Sequence, residues 1–179
     1  MYSAFQKKIA AAARVSFEDL LKTHKDEVFY TFCLYTDSDA WTVVPSANSQ
    51  EGLLRILERY KVPVSDAESI PQYKWSPEEW DYCAWKKQDF QSIGTELRSS
   101  PDREDFSSFV ERVHVDMVSA LKLLDEEGLF GSGSKRENVI LFCSISDDND
   151  ALAFEDESAR QLNSPEACRE FLDRYKGLL

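Results

Sequence analysis

Acidic residues stand directly behind two apolar runs: Asp37 and Asp39 follow Val28–Tyr35, and Asp147, Asp148 and Asp150 follow Val139–Ile145. Carboxylates delivered from two strand ends are the hard oxygen ligands that Mg²⁺ or Ca²⁺ takes. A cation held between them would support metal-assisted hydrolysis or phosphoryl transfer. The run Asp147-Asp148-Asn149-Asp150 lacks the alternating acids, the glycine and the later glutamate of an EF-hand loop. The ion it suits is therefore a weakly held Mg²⁺. The same residue types also form ordinary turns and cap helices, a use that involves no chemistry.

A second group is aromatic. Tyr73, Trp75, Trp80, Tyr82 and Trp85 are interleaved with Glu78, Glu79 and Asp81. Exposed Trp and Tyr beside acids suit a protein contact, because large rigid rings anchor interfaces. Five helical residues rotate a side chain about 140° away from the starting face. One of Trp80 and Trp85 is accordingly expected to be at least partly exposed. Tyr73, Trp75, Glu78, Glu79, Trp80 and Trp85 are the candidate partner-binding residues. The competing use is a wedge between helices, with indole N–H groups paired locally.

Other chemistry finds little support. His24 and His114 are the only imidazoles, no G-x-S-x-G elbow exists, and no cysteine stands near a histidine in the sequence. Gly131-x-Gly133-x-Lys135-Arg136 follows a helical pattern and enters a strand pattern, the reverse of a phosphate-cradling loop. It reads as a flexible connection whose bases pair with acids such as Glu137 or Asp125.

These residues must be positioned by elements that periodicity reveals. From Ser3 to about Thr23, Phe5, Ile9, Ala12, Ala13, Phe17, Leu20 and Leu21 mark one helix face. Val28–Tyr35 is apolar on both alternating faces, with Val28, Tyr30, Phe32 and Leu34 opposed to Phe29, Cys33 and Tyr35, as in a central strand. The turn 36–39 predicts an antiparallel return over Trp41–Val44, closed by Pro45. Asn48 and Glu51 predict a helix start. Ser76-Pro77-Glu78-Glu79 predicts another, with Pro at the first helical position. A long helix is expected from about Arg103 to Glu127, a strand over Asn138–Ile145, and a last helix opening at Ser164-Pro165-Glu166. Only a parallel pairing of the two apolar runs would bring both aspartate groups to one end. The sequence leaves that direction open.

Composition bounds the rest. A chain of 179 residues with 42% hydrophobic residues suits one globular domain with a substantial core. A net charge of −12 argues against nucleic acid, which needs a basic face, and suits a basic protein partner, cations or plain solubility. No apolar run approaches the ~18 residues of a membrane helix, and the Ala-rich opening mixes in Lys8, Arg14 and Glu18, unlike a secretory segment. Four scattered cysteines without a C-x-x-C pair point to a reducing cytoplasm and away from structural zinc.

The segments FYTFCLYTD, VVPSANSQEGLLRI, YKWSPEEWDY, ALKLLDEEGLFGSGSKRENVILFCSISD and SARQLNSPEACREF occur in that order along nearly the whole chain. In them the chain resembles an uncharacterised family of small acidic bacterial proteins, domain-of-unknown-function family four-three-zero-three. The resemblance implies a single cytoplasmic α+β domain and brings no catalytic residues with it. By class analogy, small acidic families of this kind include immunity proteins.

The expectation is one α+β domain over residues 1–179, with a small, mostly antiparallel sheet of three or four strands covered by several helices. The expected function is non-enzymatic: binding of a protein partner, itself basic, through an acidic, aromatic-containing surface, in an immunity-like or regulatory role without a cofactor. The alternative is a Mg²⁺-assisted hydrolase or phosphoryl-transfer enzyme using Asp37, Asp39, Asp147, Asp148 and Asp150.

Overall fold

The computed structural model describes residues 1–66, 68–146 and 148–176. Helix α1 (Ala4–Thr23) is started by Ser3, whose hydroxyl accepts from the Gln6 amide while the Gln6 side chain accepts from the Ser3 amide. That reciprocal cap satisfies two amides a helix start otherwise leaves open. Its stripe of Ile9, Ala13, Phe17 and Leu20 is fully buried, as the spacing requires.

Strand β1 (Phe29–Asp37) is central in a three-stranded sheet of order β2-β1-β3, between β2 (Val44–Ser49) and β3 (Ile140–Ser146). The sheet is mixed: β2 runs antiparallel to β1, and β3 runs parallel to it. An irregularity between Phe29 and Thr31 changes the faces expected for β1. Phe29 and Phe32 now stack on each other on one face, and Tyr30 joins Cys33 on the other. A bulge of this kind moves every residue before it to the opposite side.

Strand β2 also corrects the sequence reading. It starts at Val44, where it was expected to end, and Pro45 lies inside it opposite Leu34. A proline is tolerated because β2 is an outer strand with a side that needs no ladder donor. Trp41, taken for a strand residue, sits in the preceding loop and is 50% exposed. Helix α2 (Gln50–Tyr60) is capped by Ser49, one residue later than expected, through the Gly52 amide.

After the short helix α3 (Ile70–Trp75), Pro77–Glu79 forms one 3₁₀ turn instead of the helix start expected there, and the Ser76 side chain makes no cap. Trp80 ends that turn in extended conformation because its ring is drawn onto the sheet against Phe142. The chain then runs beside β2, where the Ala47 amide donates to the Tyr82 carbonyl at 3.4 Å. Helix α4 (Gln91–Ser99) was not foreseen, since Ile93 and Leu97 alone mark its apolar side. Helix α5 (Phe106–Glu126) matches the long apolar stripe and starts at an Asp105 cap. Next come the helical turn α6 (Ser134–Glu137), then β3, helix α7 (Ala151–Leu162) and the turn α8 (Arg169–Leu172), all that remains of the expected last helix.

Helices cover both faces of the sheet. One core joins α1, α4 and α5 to Phe32, Leu34, Leu141 and Cys143. The other joins Ile56, Trp75, Trp80, Ala159 and Phe171 to Tyr30, Cys33 and Phe142. This is an α+β domain. No helix among the described residues is long and apolar enough to cross a membrane.

Candidate functional site

The parallel pairing settles where the aspartates go. Asp37 is opposite Ser146, so β1 and β3 deliver their following acids to the same end of the sheet. Convergence at one end still does not build an ion site. Asp37 is consumed by its own turn: Oδ1 accepts from the Trp41 amide at 2.9 Å, and Oδ2 accepts from the Thr42 amide at 3.0 Å and the Thr42 hydroxyl at 2.6 Å. Asp39 is exposed, and Arg103 reaches its backbone carbonyl. Asp148 closes a turn on the Asp150 amide at 2.7 Å, and Asp150 leads into α7 without a side-chain cap. Asp147 lies outside the described residues. Among the described residues no three His, Cys, Asp or Glu side chains are grouped to hold a metal. Among the described residues, Asp37 and Asp148 of the alternative Mg²⁺ reading serve turn chemistry, in which local amides claim their carboxylates.

The aromatic group is likewise dispersed. Trp75 and Trp80 are 3% exposed and pack edge-on against Phe171 and Phe142. Trp85 lies on the other face of the sheet, against Tyr82 and His24, and donates its indole N–H to Asp19 at 3.1 Å. The partial exposure expected of one indole falls to half-buried Trp85. Tyr73 stacks on Tyr60, Glu79 is half-buried, and Glu78 is exposed. The six candidates form no single surface.

What the fold does bring together is a cleft of about 380 Å³ at the carboxyl end of β3. The segment Trp75–Glu78 makes one wall, the first turns of α7 make another, and Tyr175 closes a third side. Carboxyl ends of parallel strands are where open α/β sheets leave room for ligands, since the chain must climb away from the sheet there. Glu78, Asp148 and Glu155 supply three carboxylates to the lining, Ser76, Ser144 and Ser146 supply hydroxyls, and no lysine or arginine lines it. Glu78 and Trp75 come from the aromatic group and Asp148 from the aspartate group. Each group thus places residues in the lining of this cleft.

Glu155 is the residue both readings missed. Its carboxylate is 8% exposed, accepts from the Ser144 hydroxyl at 2.5 Å, and accepts from Arg174 at 2.9 Å. Burial pushes its pKa up, against the downward pull of Ser144 and Arg174. Arg174 is itself buried, bonds Asp156 at 2.6 Å and the Phe171 carbonyl at 2.7 Å, and lies 3.9 Å from the Phe171 ring centre. The only sequence signal was Ser144, a hydroxyl inside an otherwise apolar strand.

Two imidazoles complete the inventory. His114 stacks on Phe154 with ring centres 4.2 Å apart, and burial lowers its pKa. His24 ends α1, with Nδ1 3.1 Å from the Tyr82 hydroxyl. Neither lines the cleft.

Comparison with curated proteins and with solved structures returned no match. Residues 9–164 match the family described as Domain of unknown function (DUF4303). With most of its length inside that match, and with the α+β architecture the resemblance implied, the chain belongs to this family of unknown function.

Proposed function

We propose that the protein binds another protein, and that the cleft at the carboxyl end of β3 receives a lysine or arginine of that partner. The observation that carries this reading is the lining by exposed Glu78 and Asp148, with no lysine or arginine among the described lining residues and with Glu155 beneath them already paired to Arg174. In a concave site such carboxylates attract a cationic side chain more strongly than on flat surface, and serine hydroxyls accept its remaining N–H donors. Trp75 and Tyr175 offer apolar walls to the side-chain stem, and Leu152 at the mouth is 48% exposed. The net charge of −12 supports steering of a basic partner. Four free thiols support a reducing cytoplasm as the setting, and an immunity-like or regulatory role is the concrete form of the proposal.

The test is an amide-resolved NMR titration with a short lysine- and arginine-rich peptide. Shifts are expected at Ser76, Ser144, Ser146 and Leu152, weakening with salt and lost in Glu78→Lys. Shifts spread over every acidic surface, or none at all, would overturn the reading.

A further inference from the structure

A concavity of about 280 Å³ lies between the start of α1, the end of α4 and one face of α5. Phe109, Val113 and Asp116 follow one another along α5 at four- and three-residue steps, which keep their side chains in one row. Phe109, Val113 and Leu97 are buried and make apolar walls, and half-buried Phe5 closes the α1 side. No residue of this lining belongs to the cleft at the end of β3.

Among the described residues four charged side chains line the concavity, and three of them are matched. Exposed Glu96 pairs with Lys8 at 2.6 Å, and exposed Asp102 pairs with exposed Arg112 at 2.9 Å. Asp116 is the fourth. It is only 8% exposed, yet its one side-chain partner among the described residues is the neutral Gln6 amide, which donates to Oδ1 at 2.8 Å. Oδ2 accepts no hydrogen bond from those residues. Arg112 stands one turn earlier on the same helix, at the spacing where an arginine reaches an acid, but it is turned away to Asp102. Burial pushes the Asp116 pKa up, against the pull of Gln6 and Arg112. A carboxylate set among apolar walls costs free energy unless a positive charge meets it.

We propose that this concavity binds a small organic ammonium compound, its charged group on Asp116 Oδ2 and its apolar body between Phe5, Leu97, Phe109 and Val113. Apolar walls with a single convergent polar group are the usual make-up of small-molecule sites. An anion is repelled by Asp116, and an uncharged apolar molecule seals the carboxylate in without a partner. An ammonium group instead supplies charge-assisted N–H···O bonds, about twice as strong as neutral ones. The walls come from three helices, so the enclosed body is apolar on several sides. A free molecule meets that demand better than a side chain tethered to a polar backbone.

The test is an amide-resolved NMR titration of the full chain with phenethylamine at neutral pH, where it is an ammonium. Shifts are expected at Phe5, Leu97, Val113 and Asp116. The alcohol 2-phenylethanol, the same body without the charge, is expected to bind at least tenfold more weakly. Equal affinity for amine and alcohol, shifts centred on the β3 cleft, or no binding overturns the proposal on the native chain alone. Asp116→Asn keeps the size of the side chain and an oxygen for Gln6 to bond, so it should fold, with circular dichroism as the check. It is expected to lose at least tenfold in affinity for the amine and to keep its affinity for the alcohol. Unchanged amine affinity in that variant overturns the role of Asp116. Nα-acetyl-lysine methylamide, an ammonium on a backbone stub, is the last probe. Tighter binding of it than of phenethylamine at the same amides would assign the concavity to a protein side chain and overturn the small-molecule claim.

Discussion

The Ser144–Glu155–Arg174 chain joins the sheet, α7 and the C-terminal turn in one buried polar line. Removing one member strands a charge, so Arg174→Ala is expected to cost about 3–5 kcal/mol in urea unfolding. The pH dependence has a definite sign. Glu155 has a raised pKa, so its contribution is fullest below the unfolded carboxyl value and is lost as pH rises through the folded one. The melting temperature of the native chain relative to Glu155→Gln, followed upward from pH ~4, should therefore fall. A difference that grows with pH would place the Arg174 attraction above the burial cost. The thiols follow the same physics. Burial raises the pKa of Cys33, Cys143 and Cys168, while Cys83 is half-buried, with Sγ 3.6 Å from the Tyr35 hydroxyl. Titration with a disulfide reagent is expected to label Cys83 alone in the native protein, the other three reacting only on unfolding.

At the scale of elements, the outer edge of β3 is closed by side chains instead of another strand. Asn163 accepts from the Leu141 amide at 3.0 Å and donates to the Leu141 carbonyl at 2.7 Å. Ser158 bonds the Cys143 amide and carbonyl at 2.9 and 3.2 Å. Sheet margins left open invite foreign strands, and α7 with the residue after it supplies the missing partners. Asn163→Ala is expected to cost roughly 1–3 kcal/mol per stranded backbone group, read by urea denaturation, with increased association of the chain. Long patterns such as α1, β1, α5 and β3 were readable because their apolar spacing is dense. Local signals proved weaker than tertiary demands. Ser76-Pro77-Glu78-Glu79 carried full helix-start chemistry, yet the burial of Trp80 took the chain elsewhere. Pro45 reads as a stop only if the strand is central, and strand order is not encoded locally.

For the whole molecule, excess negative charge works against compactness, since the acids repel across a surface. Raising salt from about 0.01 M to about 1 M shortens the screening length from ~30 to ~3 Å, so thermal stability is expected to increase with salt. A flat or falling response would mean that the lysine and arginine ion pairs among the described residues outweigh the repulsion. The candidate site was half legible. The carboxylates behind the apolar runs were visible, but the direction of β3, which decides whether they meet, depends on the crossover through α2–α6. Glu155 was hidden because an acid on a helix gives no sign of facing inward. One feature shared by site and scaffold has a mechanical result. The helix that walls the cleft also holds the outward amides of β3, so that wall cannot move off the sheet without first unzipping Cys143 from Ser158. Backbone amides at this margin should then exchange with solvent as slowly as those of central β1. The α7 side of the cleft is in this sense a clamped jaw: its position is set by the sheet margin it seals.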